Sequence, residues 1–213
     1  MNPLPARLLM VTDRHQAAAP LDAIVAQALA AGVRWIWLRD RDLATEERRA
    51  LATRLLRGLA ERFEARLTIG GDVALARAVG ADAVHLSAGA PIVEARAQLG
   101  PQALIGVSAH GEAEIAAARI AGADYVTLSP IYATSSKPGY GPALGLDALT
   151  RATRYGLPVL ALGGVTADRA ADCRRAGAAG VAVMGELMRA AASPGGVAAM
   201  VESFSRALQP EMA

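Results

Sequence analysis

Eight short apolar runs, most of them followed by a longer Ala-rich stretch, constrain this chain more than any other feature. The runs fall at 8–12, 35–38, 67–69, 83–86, 104–107, 125–128, 159–162 and 181–184. Most lack strict polar/apolar alternation, as parallel strands buried on both faces do. Between them, stretches such as 21–31, 46–61 and 112–121 carry apolar residues at helical spacing. Gly32, Gly80, Gly122 and Gly177 each stand just before a run. A glycine there closes a helix in the left-handed conformation. Alternating βα units predict a parallel sheet, and eight of them predict closure into a (β/α)8 TIM barrel. An open doubly wound sheet is the alternative. Its dinucleotide-binding version needs a Gly-x-Gly-x-x-Gly turn after the first strand, which this chain lacks.

Composition agrees with one barrel domain over 1–213. Hydrophobic residues make up 53% and charged residues 20%, which argues against disorder. Aromatics are only 4%, so Ala, Leu and Val must do the packing. The net charge of +2 is spread over interleaved Arg and acidic residues, as in 40–49, so no nucleic-acid-binding field is expected. No apolar run reaches the roughly 20 residues of a membrane span, and the start lacks the pattern of a signal peptide. A soluble, cytoplasmic protein is the expectation. The one cysteine, Cys173, lies between Asp172 and Arg174 without a histidine beside it and reads as an ordinary helix residue.

In a barrel of this kind, functional residues stand just after each strand. His110 is the acid/base candidate, because an imidazole can take and return a proton near neutral pH. Its alternative is a helix-capping role beside Ser108. Gly163 and Gly164 after the seventh run, with Gly185 and Glu186 after the eighth, offer backbone N–H groups to a phosphate; a tight turn is the alternative reading. Thr134, Ser136 and Lys137 lie on a long hydroxyl-rich loop that could cover an anion or simply face solvent. Arg39 could clamp a carboxylate or phosphate, or pair with Asp13 or Asp72. His85, inside an apolar run, reads as a core histidine, and His15 carries no signal. No zinc-type cluster is visible, although Asp13, Asp40 and Asp72 could meet at the barrel mouth. Trp35 and Trp37 could face the core, the site or a partner.

Taken together, Leu38-Arg39-Asp40-Arg41, Gly106-Val107-Ser108-Ala109-His110, Ser129-Pro130-Ile131-Tyr132-Ala133-Thr134 and Leu162-Gly163-Gly164-Val165 resemble the thiamine phosphate synthase/TenI family of barrels, over nearly the whole chain. The resemblance implies one of two chemistries. The synthase joins a pyrimidine methyl diphosphate to a thiazole phosphate, releasing pyrophosphate with Mg²⁺ held by two aspartates. Those belong to an Asn-Asp pair and a Gly-Gln-x-Asp run. Here the matching positions are Gly70-Gly71 and Ser87-Ala88-Gly89-Ala90. Trp37 and Arg41 stand where the family has a glutamine and a lysine. The TenI branch includes a metal-independent thiazole phosphate tautomerase whose histidine follows a Ser-x-His pattern, as in Ser108-Ala109-His110.

The resemblance therefore points first to a tautomerase with no cofactor. In that role His110 is the acid/base. Gly163, Gly164, Gly185 and Glu186 hold phosphate, and Arg39, Ser108, Thr134, Ser136 and Lys137 meet the substrate. A divergent Mg²⁺-using synthase and a non-catalytic precursor-binding or regulatory protein are the alternatives. The expected partner is a small phosphorylated thiazole, with neither nucleic acid nor membrane. A homo-oligomer is compatible with the sequence.

Overall fold

The computed structural model describes residues 2–134 and 142–209. Its strands are β1 (Leu8–Val11), β2 (Trp35–Leu38), β3 (Arg66–Gly70), β4 (Ala83–Leu86), β5 (Leu104–Ala109), β6 (Tyr125–Leu128), β7 (Val159–Leu162) and β8 (Gly180–Val183). They form a closed, all-parallel barrel in sequence order, β8 pairing with β1. The expected (β/α)8 architecture is therefore what the chain adopts. The helices are α1 (Leu21–Ala30), α2 (Thr45–Thr53), α3 (Val73–Val79), α4 (Ile92–Leu99), α5 (Glu112–Ile120), α6 (Gly145–Thr153), α7 (Ala167–Arg175), α8 (Gly185–Ala190) and α9 (Gly196–Ala207). The last, α9, packs on α7, α8 and α1, across the seam where the barrel closes. Among the described residues no helix is long and apolar enough to cross a membrane.

Each strand divides its side chains by the period of two that a pleated backbone imposes. Met10, Ile36, Leu38, Leu67, Ile69, Val84, Ile105 and Val126 face the helices in one apolar layer. Leu9, Val11, Trp35, Trp37, Ala83, Leu104, Tyr125, Leu160 and Ala182 fill the barrel interior. Trp35 and Trp37, two apart, therefore both point inward. The glycine stops behave as expected: Gly32, Gly80, Gly122 and Gly177 all have positive φ. Asp72 caps α3 by accepting from the Leu75 N–H at 2.8 Å.

One expected element is broken. The stretch 46–61 reads as one α-helix, but α2 ends at Thr53, and a π-helical segment, Arg54–Ala60, and a 3-10 turn, Glu61–Phe63, follow. The wider i→i+5 turn suits a five-residue step on one face. Leu55 and Ala60 are separated by that step, and both are fully buried.

The barrel interior also holds Thr68, His85 and Thr127, all fully buried. His85 is the core histidine its sequence position suggests. Its Nδ1 lies 3.1 Å from the Tyr125 hydroxyl, and its Nε2 lies 3.1 Å from Ser108 Oγ and 3.3 Å from Thr127 Oγ1. Burial, with a smaller contribution from the charge of Arg41, lowers its pKa to about 3. The unfolded chain regains the ordinary value of about 6.5 and takes up a proton that the native state refuses. Stability is thus full above the unfolded value and is lost as pH falls from there toward 3. Urea unfolding should show a loss of about 1 kcal/mol between about pH 7.5 and about pH 5.5. His85→Asn should flatten that slope, and an unchanged slope would assign it to other groups.

Candidate active site

The C-terminal ends of the strands open into a cavity of about 850 Å³. Arg39, Ser108, His110, Thr134, Gly163, Gly164, Gly185 and Glu186 all line it. Eight of the ten candidates thus share one space; Ser136 and Lys137 lie outside the described residues.

Ser108 sits near the end of β5, where inward residues meet the cavity. The His85 network inside the barrel holds its hydroxyl, which links the core to the mouth. His110 follows two residues later, just before α5. Its backbone N–H donates to the Glu114 carboxylate at 2.5 Å, and its Nδ1 lies 2.8 Å from the Ser129 carbonyl. A carbonyl only accepts, so Nδ1 carries the proton and Nε2 is the basic nitrogen. The N-cap of α5 is Gly111, without a side-chain cap bond, so capping is not what orients His110; its ring is held by the Ser129 carbonyl just past β6.

Two strands further round the barrel, Gly163 and Gly164 turn the chain out of β7 with φ values of +90° and +63°. A side chain on Gly163 would stand 2.8 Å from Pro130 Cα. One on Gly164 would stand 2.8 Å from Tyr132 Cβ and closer still to the Ala133 carbonyl. The loop after β6 lies directly on this turn, so its tightness has a packing cause as well as any ligand role. Gly185 opens α8, and Glu186 is paired with Arg189 at 3.0 Å. That pair offsets a carboxylate which alone would repel a phosphate.

The sequence reading missed Arg169 and Arg189, which also line the cavity. Arg169 donates to the Gly164 carbonyl at 2.8 Å and lies 4.6 Å from the centre of the Tyr132 ring. Arg169 stands five residues after Gly164 and Arg189 four after Gly185, a spacing that could have marked both. Asp42 and His15 were missed too; they form a pair at 2.7 Å on the rim. The Arg14 bond, and then that of His15, holds the Asp42 carboxyl well below the usual carboxylate range.

For Arg39 the structure shows the ion pair that its sequence position allows, on a side chain at the edge of the cavity. Asp13 is 3.7 Å away. Trp37 lines the cavity as well, its ring stacked on His85 with 3.9 Å between centroids. Trp35 stays in the core, donating to Thr68 Oγ1 at 2.9 Å.

The three aspartates do not converge on a metal. Asp40 accepts from the Thr12 hydroxyl at 2.5 Å and the Arg14 N–H at 2.7 Å. Asp13 accepts from Gln16 and the His15 N–H. Asp72 caps α3 and pairs with Arg48 at 3.4 Å. Among the described residues no three acidic, histidine or cysteine side chains form a group that could hold a metal ion. The two positions at which the resembled synthases hold Mg²⁺ by aspartates are Gly71 and Ala90, which have no side-chain oxygen. These residues do not fit that ion.

The sequence pattern of the family described as thiamine monophosphate synthase (TMP-TENI) matches residues 8–187. The chain belongs to this family. It is 46% identical over 184 residues to a Geobacter sulfurreducens protein provisionally named thiamine-phosphate synthase, covering 85% of this chain and 86% of that one. It is 38% identical over 204 residues to the thiamine-phosphate synthase of Marinobacter nauticus, covering 93% and 89%. The thiamine phosphate pyrophosphorylase structure from Pyrococcus furiosus superposes with a TM-score of 0.82 at 28% identity, covering 94% of each chain. The first two bear the synthase name and the third the pyrophosphorylase name; none of the three bears the tautomerase name.

Proposed function

We propose that this chain binds a thiazole phosphate and joins it to a pyrimidine methyl diphosphate, as the names of its relatives suggest. The observation that carries the reading is one cavity bordered by two sets of groups able to bind anions. Glycine turns after β7 and β8, with Arg169 and Arg189, form one set. Arg39 and Arg41 beyond β2 form the other. A phosphate and a diphosphate are the two charges the coupling must hold. In the step, the thiazole nitrogen bonds to the pyrimidine methylene carbon. The carbon–oxygen bond to the diphosphate breaks, and its electron pair leaves with pyrophosphate. No proton moves, so no acid/base residue is required.

The tautomerase remains the second reading, and one observation favours it. His110 presents a basic Nε2 on a ring oriented by Ser129. A base so placed suits proton transfer on a thiazole carboxylate phosphate.

Two assays on one preparation separate the readings. The pyrimidine diphosphate and thiazole phosphate should give thiamine phosphate and pyrophosphate. His110→Ala should leave that rate within a few-fold of the parent. If the chain instead aromatises the thiazole carboxylate phosphate and does not couple, the isomerase replaces the transferase. His110→Ala should then cost about 100-fold or more. Failure of both assays, with thiazole phosphate still bound, would leave a precursor-binding protein.

A further inference from the structure

The mouth near Arg39 and Arg41 contains a substitution that no relative's name describes. Gly71 has a φ of +70°, and a Cβ placed on it would stand 2.9 Å from both Cζ and Nε of Arg41. The guanidinium therefore lies over the position where the resembled synthases carry an aspartate. From there its Nη1 reaches Ser87 Oγ at 3.4 Å. Ser87 begins the run Ser87-Ala88-Gly89-Ala90, which matches the segment of the second metal aspartate. One cation thus spans the two segments that would otherwise supply two carboxylates to a metal.

The surroundings agree. Arg41 has no carboxylate in ion-pair distance among the described residues, whereas Arg39 has Asp13 and Arg48 has Asp72. Partial desolvation, and then the charge of Arg39, weaken its hold on its proton. Crowded like charges without an intervening carboxylate make a place where a polyanion is stabilised. Arg41 and Ser87 both border the cavity, so that polyanion can reach them.

We infer that the Arg41 guanidinium takes the place of the divalent cation, so that a diphosphate is held between β2 and β4 without metal. The inference rests on the coupling reaction proposed above. With both carboxylates lost, Arg41, a guanidinium where the family has a lysine, is left as the fixed positive charge over Gly71. A metal site stripped of its anions leaves no metal; a guanidinium restores positive charge and adds a planar fork of donors for phosphoryl oxygens.

Titration calorimetry with inorganic pyrophosphate tests it, on metal-free wild-type protein and again with excess Mg²⁺. Binding should occur without metal and change by less than about twofold when Mg²⁺ is added. Arg41→Ala, a loop change that leaves the barrel contacts intact, should weaken pyrophosphate by roughly 10-fold or more. Arg41→Lys, which keeps the charge but not the fork, should recover part of that affinity. Binding that requires Mg²⁺, wild-type affinity in Arg41→Ala, or no pyrophosphate binding at all would each overturn the inference. Thiazole phosphate titrated into the same samples, with the coupling assay run on them with the pyrimidine diphosphate added, keeps the two questions apart. If it binds and couples while pyrophosphate affinity ignores Arg41, only the inference fails. If pyrophosphate binds as expected but coupling is absent, only the coupling reading fails.

Discussion

Gly106→Ala should destabilise this barrel by about 3 kcal/mol or more, near the upper end for adding one methyl group to a filled core. Strand register explains the size of the effect. Gly106 pairs with His85 on β4 and with Tyr125 on β6. Both neighbours point inward, and both are fully buried. A Cβ at Gly106 would lie 2.5 Å from His85 Nδ1 and closer still to the Tyr125 ring. Neither ring can swing into solvent. His85 is held by Ser108 and Thr127, and Tyr125 lies edge-on to Trp35 with 5.0 Å between centroids. Urea or thermal unfolding reads the loss directly. For a chain of this size, the melting temperature should drop by roughly 6–12 °C. Tyr125→Leu removes the far ring atoms, so the double variant should recover part of what Gly106→Ala loses, a coupling that a double-mutant cycle measures. A loss below about 1 kcal/mol would mean the strands spread easily, contrary to the tight interior described above.

Gly106 also shows where sequence reading runs out. It stands in the segment leading to His110, where nothing in the sequence marks its packing role. The partners that demand a glycine lie 21 residues before it and 19 after it, and only the register brings them beside it. The same holds for Trp35 and Trp37, whose spacing says they share a face but not which face. The eight strands, by contrast, were legible because burial on both sides leaves an uninterrupted apolar run. The glycine helix stops were legible because a positive φ leaves few other residues. The mouth was legible as positions after strands, and eight candidates do line one cavity. The packing of Arg41 over Gly71 was not, because a missing side chain gives no sign of what fills its space. The break after α2 stayed hidden for a related reason: apolar steps of four and five look alike until the backbone chooses its turn.

Of the two glycine turns proposed to hold the thiazole phosphate, that of Gly164 should prove the more sensitive. Gly164→Ala should weaken thiazole phosphate by about 100-fold and cost roughly 1–3 kcal/mol of stability. The backbone there has a φ of +63°, a conformation that a Cβ strains. The added methyl would also press on Tyr132 and the Ala133 carbonyl, displacing the loop that brings Thr134 to the cavity. Affinity lost this way does not by itself locate the phosphate, since the loop moves as well. Gly185→Ala supplies the missing comparison. Gly185 begins α8 in a helical conformation, and its Cβ would meet the ends of the Arg189 and Gln16 side chains, which can turn aside. The fold should tolerate it, with stability within about 0.5 kcal/mol of the parent. A phosphate approaching the Gly185 amide would meet the new methyl group while Arg189 is turned aside, and affinity should fall by about 10-fold or more. A Gly185→Ala protein that binds thiazole phosphate as tightly as wild type would remove the β8 turn from the site. The losses in Gly164→Ala would then be assigned to the displaced loop.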